Sequence, residues 1–140
     1  MPVAFCRAHL ASLEWSVDRV AQWLDRFPNA AVDLAERICH LQYQAVSDWQ
    51  KVRNFVQEYQ DRIIYGTDMI DDGAQPAGEL QRKITEKWQM HWKFFSEDEL
   101  MSVPKVEKSF RGLNLQDEVL GKIFRENAIQ WYPALEKIRG

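Results

Sequence analysis

The chain has 140 residues, 46% of them hydrophobic and 28% charged, enough for one domain with a real core and ordinary for a globular protein. Its 18 Lys and Arg against 21 Asp and Glu leave a formal charge of −3, which gives no general attraction to nucleic-acid phosphates or anionic lipid. No apolar run approaches the ~18 residues of a membrane span, and six Trp, four Tyr and seven Phe argue against disorder.

The opening "MPVAFCRAHLASLEW" reads as no signal peptide, because Arg7 and His9 interrupt a short apolar run. Within it, residues 3–8 predict a buried strand. A helix is expected over 16–27, with Ser16 as N-cap and Val17, Val20, Leu24 and Phe27 on one face. Pro28-Asn29 turns the chain, and "AAVDL" (30–34) predicts a second strand. A second helix is expected over 47–60, where Ser47 and Gln50 resemble a capping box and Trp49, Val52, Val56 and Tyr59 form the stripe. "RIIYG" (62–66) predicts the third strand, followed by the Gly/Pro/Asp-rich loop "TDMIDDGAQPAG". Residues 79–95 predict an aromatic helix with Trp88, Trp92 and Phe95 in its pattern. "SEDELMSVPKVEKSFRG" reads as a helical turn and a surface segment, and 116–131 as a last helix carrying Val119, Leu120, Ile123, Phe124 and Ile129. Strands alternating with helices imply an α/β fold with parallel strands, one region spanning 1–140.

In parallel α/β folds, chemistry gathers beyond the carboxyl ends of the strands. Here the first strand runs into His9, the second contains Asp33 with Glu36 and Arg37 just beyond, and the third runs into Asp68. A carboxylate just past a buried strand is partly desolvated and calls for a cation, a metal or a proton. Gly66 would let the backbone bend or pack closely there. Each residue also has a plain structural explanation: Asp68 as a turn residue, His9 as a satisfied core histidine, Asp33 and Arg37 as an ion pair. His91 reads as packing, and Cys39-His40 lacks the second ligand pair of a metal site. Cys6 and Cys39 define no disulfide framework and read as reduced thiols of a cytoplasmic protein.

Three segments, "AHLASLEWSVDRVAQWLDRFPNAAVDLAER", "YQDRIIYGTDM" and "FRGLNLQDEVLGKIFRENAIQWYP", resemble the C-terminal part of the amidohydrolase-related family of metal-dependent hydrolases, in the aminocarboxymuconate-semialdehyde decarboxylase-like branch. The resemblance implies about three βα units of a TIM (β/α)₈ barrel, whose full size is roughly 250 residues. It implies hydrolysis of a small molecule by a metal-activated water, or a related decarboxylation. By position, Asp68 would be catalytic and bind the metal. His9 would be a metal ligand or acid/base, and Asp33 and Arg37 would contact substrate. The cofactor implied is a divalent metal, zinc above all, with further ligands from an absent N-terminal half, since no H-x-H occurs in the chain. The alternative is a non-catalytic α/β fragment serving as a structural or interaction module. Strands cut from a barrel would leave two open edges and expose Val3, Phe5, Val32 and Ile63 or Ile64. That predicts association with a complementary barrel half or with copies of the chain.

Overall fold

The computed structural model describes residues 4–139; Val3 lies outside them. Three strands, β1 (Phe5–Arg7), β2 (Ala30–Asp33) and β3 (Ile63–Ile64), form a parallel sheet in that order. Phe5 stands beside Ala30, and Val32 beside Ile63. The α/β class and the parallel alternation are as the sequence predicts.

The alternation of side chains along a strand decides what each face meets. Phe5 packs edge-on against Trp23 and Phe27, at the end of the helix that follows the strand. Val32 and Ile63, fully buried, join the core built with the helices α1 (Val17–Arg26) and α2 (Ile38–Glu58). Cys6, Ala31, Asp33 and Ile64 therefore point to the other face. There the Tyr132 side chain lies near Cys6, and Ala31 and Ile64 are buried. So the residues expected to face a barrel interior are corrected: Phe5, Val32 and Ile63 face the helices, and of that group only Ile64 lies opposite.

α1 starts where Ser16 accepts from the Arg19 amide and buries Val17, Val20 and Leu24. Arg62 closes its far end, donating to the carbonyls of Leu24 and Phe27 and to that of Ala30. α2 begins at Ile38, nine residues before the expected start, and is kinked at Asp48 (φ −147°). Asp48, not Ser47, caps its second half, accepting from the Lys51 amide at 3.0 Å.

Helix α3 (Ala77–Ser96) buries His91, Phe94 and Phe95, while Trp88 stacks on Trp92 at its partly exposed side. The segment read as surface is a β-hairpin: β4 (Leu100–Val103) pairs antiparallel with β5 (Val106–Arg111) across a Pro104-Lys105 turn. Met101, Val103, Val106 and Phe110 are buried against the core. Its exit is fixed by Trp49, whose indole N–H donates to the Gly112 carbonyl at 2.9 Å, and by the Arg111 guanidinium 4.5 Å from the Trp49 ring.

The chain ends in α4 (Asp117–Gly121), a π turn (Lys122–Glu126), α5 (Asn127–Trp131) and a 3₁₀ segment (Pro133–Arg139). This run closes the outer edge of β3. The Ile123 carbonyl accepts from the Tyr65 amide at 2.9 Å, and the buried Asn127 amide donates to the Ile63 carbonyl at 2.8 Å. The expectation of two open sheet edges is thus corrected at β3, where two outward-facing backbone groups, the Ile63 carbonyl and the Tyr65 amide, have partners inside the chain.

Candidate functional site

Beyond each parallel strand the backbone enters the left-handed region. His9, Leu10, Ala11 and Ser12 have φ of 57°, 51°, 59° and 59°. Glu36 follows β2 with φ 56°, and Asp68 follows β3 with φ 54°. Only one other non-glycine among the described residues, Asn114, shares this sign. Four consecutive left-handed residues form a single left-handed turn, a conformation costing roughly 1–2 kcal/mol per L-residue. Backbone strain of this kind concentrates at functional sites.

Hydrogen bonds hold the turn in place. The His9 amide donates to Asp33 Oδ1 at 2.9 Å, and the Ala35 amide donates to the same oxygen at 3.1 Å. His9 Nδ1 lies 2.8 Å from the Ala35 carbonyl oxygen. A carbonyl only accepts, so Nδ1 carries the proton. The ring is thereby oriented, and in the neutral imidazole Nε2 is left as the acceptor. Gly66 of the third strand's end comes against Ala35, where an added Cβ would stand 3.4 Å from the Ala35 Cβ. That is ordinary van der Waals contact, and the Gly66 dihedral is not left-handed, so neither requires a glycine there.

The structure therefore joins His9 to Asp33 and separates Arg37 from both. Arg37 lies with its Nε 3.0 Å from Glu14 Oε1, so the expected Asp33–Arg37 ion pair is replaced by an Arg37–Glu14 contact. Asp68 is exposed on the β3 loop, and among the described residues its carboxylate makes no hydrogen bond or ion pair. Asp33 has one oxygen, Oδ1, occupied by two backbone amides, which fixes the orientation of its carboxylate. As a complete metal centre the residues do not fit. Among the described residues no three His, Cys, Asp or Glu side chains converge, against the three protein ligands of a catalytic zinc.

A second group lies on the outer side of the same strand ends. Glu36 takes Lys87 on one carboxylate oxygen and Lys105, at 3.2 Å, on the other. Hydrogen bonding from Lys87 is the main reason its pKa falls below the usual carboxylate value, burial opposing and Lys105 assisting. Lys87 also donates to the Thr67 carbonyl at 3.2 Å, tying α3 to the β3 loop. Beneath them, His91 Nδ1 and the Tyr65 hydroxyl share a hydrogen bond of 3.0 Å. Burial, then the nearby Lys87, pushes the His91 pKa down to about 4, and burial pushes the Tyr65 phenol up to about 12. His91 was expected only to pack; the sequence carries no sign of its pairing with Tyr65, 26 residues away. Lys87 and Lys105 were likewise not legible, since both come from elements distant in sequence from Glu36.

Comparison with protein-family models, with curated proteins and with solved structures finds no match for this chain. No helix among the described residues is long and apolar enough to cross a membrane.

Proposed function

We propose that this chain is the C-terminal, three-βα-unit portion of an amidohydrolase-like TIM barrel, acting in hydrolysis or decarboxylation of a small molecule. The observation that carries the reading is the distribution of left-handed residues. All but Asn114 lie past the carboxyl ends of the three parallel strands, and two of them, His9 and Asp68, are the residues the family resemblance assigns to catalysis. In this reading His9 acts as acid/base or ligand through Nε2, and Asp68 supplies the unpartnered carboxylate. A divalent metal such as zinc would supply an activated water. The ligands missing here would come from a complementary barrel half.

The test is turnover of small amides, esters and carboxylates, with zinc added, by the chain together with any segment encoded upstream of it. Asp68→Asn should lower kcat by ~10²–10⁴-fold, the scale of a general-base contribution, with an unchanged circular dichroism spectrum. Retention of more than about a tenth of the activity would remove Asp68 from the mechanism.

A second reading, a non-catalytic module, is favoured by one observation. Ile123 and Asn127 occupy the edge of β3 on which a further barrel strand would have to pair. Intact folding and monodispersity of the 140-residue chain, without activity in any combination, would support that reading over the first.

A further inference from the structure

A cavity of about 240 Å³ lies between the start of α2, the middle of α3 and the β4–β5 turn. That exceeds the ~150 Å³ that suffices for benzene in an apolar interior. Ile38, Met90, Val103 and Pro104 give it apolar walls. Gln42, 3% exposed, also lines it, and its side-chain Nε2 is buried without a hydrogen-bond partner among the described residues. An unpaired buried amide donor is costly and marks a place where an acceptor belongs.

The mouth carries Glu36, Lys87 and Lys105, two cations to one anion. The two lysines are not equivalent. Lys87 already serves Glu36, the Thr67 carbonyl and, at 3.9 Å, the Met69 sulfur. Lys105 sits on the exposed hairpin turn, and its one ion pair among the described residues is with Glu36. An ammonium has three donors, so Lys105 has capacity for a second anion. His91, also in the lining, is held neutral at pH 7 by its burial and adds no charge.

We propose that this cavity binds a small organic monocarboxylate, with its apolar body between α2, α3 and the hairpin, its carboxylate on Lys105, and an acceptor atom for the Gln42 amide. The proposal is independent of His9 and Asp68; Glu36 alone is shared between the cavity mouth and the strand-end rim.

The probe is phenylacetate, titrated into the isotope-labelled chain by amide-resolved NMR, with phenylacetamide and acetate as its neutral and body-less counterparts. Phenylacetate should bind with a dissociation constant of about a millimolar, the range for a ligand of that size. Its shifts should centre on 36–42, 87–91 and 103–106. Phenylacetamide should bind about fivefold more weakly, and Lys105→Ala should weaken phenylacetate by about the same factor, the scale of one exposed charge pair. Lys105 is exposed, so its variant tests binding without risk to the fold. Gln42→Leu, which keeps the bulk and removes the donor, should weaken 4-hydroxyphenylacetate, whose ring oxygen can accept from the amide, and leave phenylacetate unchanged; equal loss for both or for neither would remove Gln42 from the site. Equal binding of the acid and its amide, or of acetate and phenylacetate, would overturn the proposal. So would unchanged affinity in Lys105→Ala, or no shifts at these residues at about ten times the expected constant. None of these results touches the rim reading, which stands or falls on Asp68.

Discussion

The His9 imidazole donates from Nδ1 to the Ala35 carbonyl, 2.8 Å away. This bond spans the ends of two adjacent parallel strands and fixes the ring over a turn of left-handed backbone. The histidine is thus a structural tie and an oriented acceptor at once, and the two roles are separable by experiment.

The left-handed turn should be relieved by glycine. Ser12 is exposed with φ 59°, a conformation glycine adopts without the Cβ penalty. Ser12→Gly should stabilise the chain by about 1 kcal/mol, because the strain removed exceeds the entropy that glycine adds to the unfolded state. Urea denaturation measures this as a higher midpoint at constant slope. A lower midpoint would mean that the turn is not strained in solution.

Gly112 should tolerate no side chain. A Cβ built there stands 2.2 Å from the Glu97 carbonyl oxygen, which is backbone and cannot swing aside. Its own amide and carbonyl are engaged by Glu99 and Trp49. Gly112→Ala should cost about 1–3 kcal/mol, the range for overpacking, and should redshift Trp fluorescence as Trp49 is displaced. Wild-type stability in this variant would refute the contact.

Asn127 should behave as a hinge pin for the closed edge. It is 1% exposed and donates to the carbonyls of Gln60 and Ile63. Asn127→Leu keeps the helix and most of the volume but orphans two carbonyls, at about 1–3 kcal/mol. Hydrogen exchange should accelerate at the Tyr65 amide, which depends on the same docking. Unaltered protection there would separate Asn127 from edge closure.

His91 should make stability fall with acid. Its folded pKa of about 4 lies below the ordinary value of about 6.5, so the unfolded chain binds the proton first. The stability it contributes is fully present above about pH 6.5. It is lost as pH falls toward 4, by up to about 3 kcal/mol. His91→Phe should flatten the pH dependence of the urea midpoint across that window. An equally steep profile in the variant would assign the loss to other groups.

Local pattern made much of this fold legible. The α1 face, the Ser16 cap and the three parallel strands follow from spacing and turn residues alone. What escaped was nonlocal or weakly marked. "ICHLQYQA" carries Ile38, Leu41 and Ala45 at helical spacing, but the polar residues between them hid the first part of α2. The β4–β5 hairpin turns on Pro104-Lys105 rather than on a glycine-containing pair, so the usual hairpin signal is missing, and although Met101 and Val103 alternate in β4, exposed Lys108 interrupts the alternation between Val106 and Phe110 in β5. The rim residues His9, Asp33, Glu36 and Asp68 were visible as strand-end chemistry. Their partners were not, because Ala35, Lys87 and Lys105 meet them only through tertiary packing. The Arg37 contact with Glu14 crosses elements in the same way.

The asymmetry of the sheet has a consequence for assembly. β3 is shielded by Ile123 and Asn127, whereas β1 is the other terminal strand and lies at the sheet's margin. Among the described residues, strand addition to the parallel sheet then has one docking place. Two copies joining through β1 related by a twofold axis would each use up the one margin that the described residues leave on this sheet. Such a pair leaves no margin of the parallel sheet for a third copy, so self-association through that sheet stops at a dimer.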